Sequence, residues 1–223
     1  MPGLQGTATL LGRLGWILVT CLALGVASYA IAVLCVPDFR PAFLRERFSR
    51  MPLAAFAHLS GGAVSLAVGP FQLSSRLRAR HLTLHRFIGL IYLGSVIIGS
   101  VGGFALASVA QGGTGAQMGF ALLALLWLWS SFQAYHAATG GRPQHEHQRW
   151  ALRSYALTFA AVTLRIYIPL FRIGGVPFEA AYVATAWLSW VPNFLVAELI
   201  ARATRTVGRP DSWNGPTSGM RLT

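Results

Sequence analysis

Six stretches of this chain are each apolar enough and long enough to cross a bilayer as a helix, and together they use up most of its length. They run over Leu14–Val36, Leu53–Leu73, Phe87–Val109, Met118–Ala138, Ala151–Phe171 and Ala180–Ala201. A hydrocarbon core about 30 Å thick needs about 20 helical residues. In lipid the backbone must satisfy its own hydrogen bonds, so runs of this length fold as helices. The expected fold class is therefore all-α, a polytopic transmembrane bundle of six spans with both termini cytoplasmic. One transmembrane domain takes residues 1–205, and 206–223, with Pro210, Asp211, Asn214, Gly215 and Pro216, reads as a disordered cytoplasmic tail. The first run is longer than the ~7–15 residues of a signal-peptide core, so it is read as a retained span.

Charge sets the orientation. Only 11% of the residues are charged, against about 25% in soluble domains, too few to cover a water-facing surface. The 18 basic residues are all Arg, against six acidic ones, for a formal net charge of +12. They sit between the apolar runs, which argues for contact with anionic headgroups and against nucleic acid. Twelve Arg fall in the N-terminus, the second and fourth loops and the C-terminus, and five (Arg40, Arg45, Arg47, Arg50 and Arg172) on the opposite side. The majority side is expected to be cytoplasmic, so both termini lie inside. Ala42–Arg50 in the first loop reads as a short interfacial helix. Cys21 and Cys35 lie on one helix, roughly 21 Å apart, and cannot bridge. Protein partners are open, a homo-oligomer among them.

Polar residues inside spans are costly in lipid and mark a partner, a cavity or a pathway. On the second span His58, Gly62, Ser65, Gly69 and Gln72 recur at helical spacing on one face. His85, Gly89 and Tyr92 do the same on the third, and His147, Ala151, Ser154, Thr158, Ala161 and Arg165 on the fifth. The fourth span ends with Gln133 and His136, and the sixth carries Pro192, Asn193 and Glu198. The small residues read as packing seams. Arg165, level with His58, needs a partner: a carbonyl freed near Pro169, Glu179 or an anionic ligand. Glu198 lies near Arg153 and Arg149, which reads as a structural ion pair.

A weak internal repeat adds to this. Phe71-Gln72 precedes His85, and Phe132-Gln133 precedes His147, with Tyr92 and Tyr155 following. The repeat puts His85 and His147 at one depth, near His136. Two facing imidazoles suit a single haem b, and three with a carboxylate such as Glu146 suit a divalent metal.

The segment His147–Arg165, HQRWALRSYALTFAAVTLR, resembles the signature of a bacterial membrane family catalogued as domain of unknown function 2306. His58 with Gly61-Gly62, Gly69-Pro70-Phe71-Gln72, His85-Arg86 with Gly89 and Tyr92, and Trp190-Val191-Pro192-Asn193 with Glu198 agree with it. The resemblance covers about residues 51–205. Ala151 departs from the expected Met, and His136 lies outside the motif. The resemblance implies a polytopic inner-membrane protein and supplies no reaction.

Three functions compete. The first is a non-catalytic membrane protein with a transport, accessory or assembly role, in which His58, Gln72, Arg153, Arg165, Asn193 and Glu198 are the polar residues of interest. The second is a redox protein with one haem b between His85 and His147. His58 and His136 sit at opposite ends of parallel spans, which excludes a second haem held by that pair. The third is a metal-dependent membrane enzyme using His136. No HExxH, GxSxG or P-loop pattern is present, so hydrolase and nucleotide chemistry have no support.

Overall fold

The computed structural model describes the backbone of residues 3–207 and the side-chain surroundings of residues 12–203. The tail expected to be disordered lies almost wholly outside the described residues. All regular structure among the described residues is helical: α1 Gly3–Cys35, a 3-10 turn Pro37–Phe39, α2 Ala42–Arg50, α3 Pro52–Gln72, α4 Ser75–Arg80, α5 Leu82–Ala107, α6 Gly113–Thr139, α7 Gln144–Thr158, α8 Ala160–Ile173, α9 Phe178–Leu188 and α10 Val191–Val207. Six stretches meet the length and hydropathy of a membrane span: Gly12–Cys35, Pro52–Gln72, Leu82–Ala107, Gly113–Thr139, Gln144–Ile173 and Phe178–Ala203. They overlap the six expected runs one for one. Large side chains such as Leu53 and Ile173 are more than four-fifths exposed, as a lipid-facing shell requires.

Several boundaries differ from the apolar runs. The third span begins at Leu82, the fourth at Gly113 and the fifth at Gln144, each several residues before its apolar run. The reason is local. Gln144–Trp150 is polar yet helix-compatible, with Pro143 just ahead of the helix and Glu146 in the first turn. Ala42–Arg50 is helical as expected, and it turns Arg47 and Phe48 into the bundle.

The tightest contact joins α3 to α5. A side-chain carbon added at Gly61 would lie 2.4 Å from Ser95 O and 2.5 Å from Gly99 N. One added at Gly102 would lie 2.6 Å from Ala54 O. Glycine on both helices lets the backbones approach closely, the means of adhesion left when lipid is as apolar as leucine. Around this pair α1 packs through Ala30 and Val33 against Ala55, Leu59 and Ala63, and the same cluster takes in Phe48 of α2. Tyr92, Val96, Trp127, Tyr155, Leu157 and Trp190 join α5, α6, α7 and the sixth span in one core.

The fifth and sixth spans are both interrupted near their middles. The fifth breaks at Phe159, between α7 and α8, and the sixth at Ser189–Trp190, between α9 and α10. Pro192 explains the second break, because it has no N–H to give Leu188 O. Side chains take over the freed carbonyls. The Trp190 indole donates to Ala186 O at 2.8 Å. The Asn193 amide donates to Ser189 O at 2.9 Å, to Thr163 Oγ1 at 2.8 Å and to Ala156 O at 3.4 Å.

Beside the break lies a chain of hydroxyls whose protons can be counted. Trp127 Nε1–H donates to Thr158 Oγ1 at 2.8 Å, and Thr158 Oγ1 donates to Ser154 O at 3.0 Å. The Tyr92 hydroxyl, 2.7 Å from Thr158 Oγ1, must then donate to it, because the one threonine proton is already used. Ser154 Oγ lies 2.8 Å from the Tyr92 hydroxyl and 2.6 Å from Ser131 Oγ, and Ser131 Oγ lies 2.9 Å from Trp127 O. Polar groups of three helices, α5, α6 and α7, are thus joined in one network.

At the end where α5 and α7 begin, Arg153 Nε and Nη2 grip Glu198 Oε2 at 2.8 and 2.6 Å, and the guanidinium lies 4.5 Å from the Trp150 ring. Arg202 holds the other oxygen at 2.9 Å. The second partner of Glu198 is therefore Arg202, one turn along the same helix, and not Arg149.

The α3–α5 contact predicts that Gly61→Leu destabilises the protein by about 1–3 kcal/mol or more, while Gly62→Ala, which meets nothing within 4 Å, leaves it unchanged. Melting midpoints in detergent check this. By the same assay Glu198→Gln, which takes the charge from a two-armed bond to Arg153, lowers stability by about 1–3 kcal/mol.

Candidate functional site

Alternation of the spans puts two sets of polar side chains at opposite ends of the bundle. The first set lies in the opening turns of α5 and α7. His85 is buried and His147 half-buried, and their ring centroids are 6.4 Å apart with planes at 89°. Ala134 O on α6 lies 2.8 Å from His147 Nδ1. A carbonyl only accepts, so Nδ1 carries the proton and Nε2 keeps its lone pair whenever the ring is neutral. That arrangement, a ring N–H anchored on a backbone carbonyl, is how ligating histidines are oriented. Gln72 closes the end of α3 over α5, its amide donating to His85 O at 3.3 Å. Among the described residues His85 Nδ1, Arg149 Nε and Tyr155 OH are buried with no hydrogen-bond partner. All three belong to α5 and α7.

Two imidazoles on opposite sides of one metal, each nitrogen about 2.0 Å from it, put their ring centroids about 6 Å apart. The His85–His147 centroid distance of 6.4 Å is close to that spacing. The larger set with His136 and Glu146 is not assembled. His136 is exposed on α6, and Glu146 faces Arg142 at 3.7 Å. No group of three or more His, Cys, Asp or Glu side chains that would hold a metal ion occurs among the described residues. The expected repeat is only partly kept: Gln72 reaches His85 O, whereas it is Ala134 O, not Gln133, that meets His147.

The second set lies toward the α2 end. There α1, α2, α3, α5, α6, the fifth span and α9 enclose a cavity of about 470 Å³. Its wall is mostly aliphatic and aromatic, and its floor includes Trp127, Thr158 and Ser189, beside the two span breaks. Three basic side chains line it: Arg47, His58 and Arg165. No Asp or Glu does.

Each is held from behind by a backbone carbonyl. Arg47 Nη1 donates to Val109 O. His58 Nδ1–H donates to Gly99 O at 3.0 Å, which leaves Nε2 unengaged by that bond. Arg165 Nη1 donates to Ala161 O at 2.8 Å, one turn back, and its guanidinium lies 5.4 Å from the Tyr29 ring. Of the partners the sequence suggested for Arg165, neither Glu179 nor a carbonyl near Pro169 is used. His58 is accessible although it sits inside the bundle, because its exposed face is the cavity wall.

Sequence reading places His58 and Arg165 at one depth, and the structure brings both to one cavity. It does not find Arg47, which counts there only as a loop charge. The signal is present in α2: Leu44, Arg47 and Phe48, three and four residues apart, form one face. Tyr29 and Tyr182 are missed for a different reason. Each is one aromatic in an apolar run, and only the packing shows that it lines a cavity.

Neither a curated protein nor a solved structure matches the chain. A family model described as "Predicted membrane protein (DUF2306)" matches residues 55–201, which include His58, His85, His147, Arg165 and Glu198. That match takes in five of the six spans and both polar sets apart from Arg47 and Tyr29, and the chain belongs to this family of predicted membrane proteins.

Proposed function

We propose that the protein is a non-catalytic membrane protein that takes one apolar or amphipathic molecule into the cavity at its α2 end, in a transport or accessory role. The cavity carries this reading. Its 470 Å³ falls within the about 300–1,000 Å³ of small-molecule sites. Most ligand pockets are apolar with a few placed polar groups, and this wall has that composition. Interrupted spans at a binding site are also a recurring feature of transporters. The excess of Arg at the other end supports a bacterial inner-membrane orientation with both termini in the cytoplasm and the cavity in the outer half.

The test fills the cavity without disturbing the fold. Gly62 lines it, and a carbon added there meets nothing within 4 Å. Gly94 is equally open but lies outside the cavity. Native mass spectrometry of purified protein is expected to show one co-purified molecule in the wild type and in Gly94→Phe, and none in Gly62→Phe. A wild type that carries nothing, or a Gly62→Phe variant that retains the molecule, overturns the proposal.

A second reading rests on the other end. His85 and His147 are close to the spacing of a bis-imidazole pair, one with its tautomer set by Ala134 O and the other with an orphaned buried nitrogen. A single haem b there would supply one-electron chemistry. Protein purified from haem-supplied cells is then expected to show a Soret band that disappears in His85→Ala. Absence of the band in the wild type removes this reading and leaves the first untouched.

A further inference from the structure

We infer that the cavity at the α2 end selects a single-chain amphiphile with an anionic head, a carboxylate or a phosphate, held by Arg165 and Arg47; this deepens the cavity reading above and rests on it. The argument begins with charge. Among the described residues four ion pairs form, and neither Arg47 nor Arg165 takes part in any of them. Each guanidinium has five N–H donors, and one carbonyl accepts from each here. The remaining donors face a wall without a carboxylate. In a bundle of low polarity two such cations are costly together unless an anion joins them. A planar fork that reads carboxylate or phosphate with two parallel bonds is what Arg provides and a point charge does not.

The basic groups share one wall. Arg47, His58 and Arg165 all line the cavity, and the Arg165 guanidinium lies 5.4 Å from the ring of Tyr29, which lines it too. His58 adds to the site through Nε2, because Nδ1 is committed to Gly99 O. The rest of the wall suits a hydrocarbon tail: Leu59, Leu66, Leu106, Leu123 and Leu157 line it. At about 470 Å³ the cavity is of a size to take one small ligand. Tyr29, Phe43 and Pro169, which line the cavity on α1, α2 and α8, are also exposed.

The test uses the full chain in detergent with cis-parinaric acid, a fluorescent single-chain fatty acid. Displacement by dodecanoate, dodecyl phosphate and dodecanol separates head from tail. Both anions are expected to displace the probe with similar strength, and dodecanol at least about tenfold more weakly. Arg165→Gln and Arg47→Gln are each expected to weaken the anions about tenfold and leave dodecanol unchanged, while Arg165→Lys recovers only part of the loss. Equal displacement by dodecanol, or anion affinity unaltered in both Gln variants, overturns the inference while leaving an apolar binding site standing. Failure of every probe to bind, in wild type and Gly94→Phe alike, overturns the cavity reading itself. Should either Gln variant not fold, the comparison of head groups on the wild type decides the question.

Discussion

A helix interrupted inside hydrocarbon leaves carbonyls with no water to turn to, and much of this structure is arranged around two such interruptions. Each unpaired backbone group would cost several kcal/mol in lipid. The breaks at Phe159 and at Ser189–Trp190 survive because Asn193 and the Trp190 indole reach the freed oxygens. Asn193 does this across spans, which ties the sixth to the fifth. The hydroxyl chain through Tyr92, Thr158, Ser154 and Ser131 then fixes the fifth span to α5 and α6. The same side chains that repair the backbone therefore hold the floor of the cavity.

The two polar ends are built on different logic. At the end where α5 and α7 begin, charges are paired: Arg153 and Arg202 share Glu198. There the polar atoms left over belong to His85, Arg149 and Tyr155, a set suited to a small number of directed bonds. In the cavity toward α2, Arg47 and Arg165 have no acid among the described lining residues, and each is braced by one backbone carbonyl. A brace of that kind orients a guanidinium without neutralising it. Charge is thus spent on structure at one end and left in reserve at the other.

Sequence alone made the six spans legible because hydrocarbon imposes a length and a composition that few other environments impose. It also made His58, Arg165, Asn193 and Glu198 legible, since polar residues stand out against an apolar run. Three kinds of feature stayed hidden. Interruptions do not change hydropathy: Ala160, which follows the break in the fifth span, is as apolar as its neighbours, and only Pro192 hinted at the break in the sixth. Cavity walls do not announce themselves either, because an empty space has no residue of its own. Tyr29 and Leu157 look like core until the packing shows which atoms they fail to touch. Partner choice was the third gap. The sequence reading named Arg149 beside Arg153 for Glu198, whereas Arg202, four residues on along the same helix, is the second partner.

Gly61 and Gly62 are neighbours with opposite duties. At Gly61 the missing side chain admits another backbone, and at Gly62 it preserves empty volume. A helix advances about 100° per residue, so the two positions point to different sides of α3. Inserting or deleting one residue before them would turn α3 by that angle and present a bulky neighbour to α5 while swinging the glycine seam toward the cavity. Register on this one helix thus couples tightness to emptiness: the bundle cannot relax this close contact without also reshaping the cavity. Natural variation in α3 is therefore expected to change side chains freely on the lipid side and its length hardly at all.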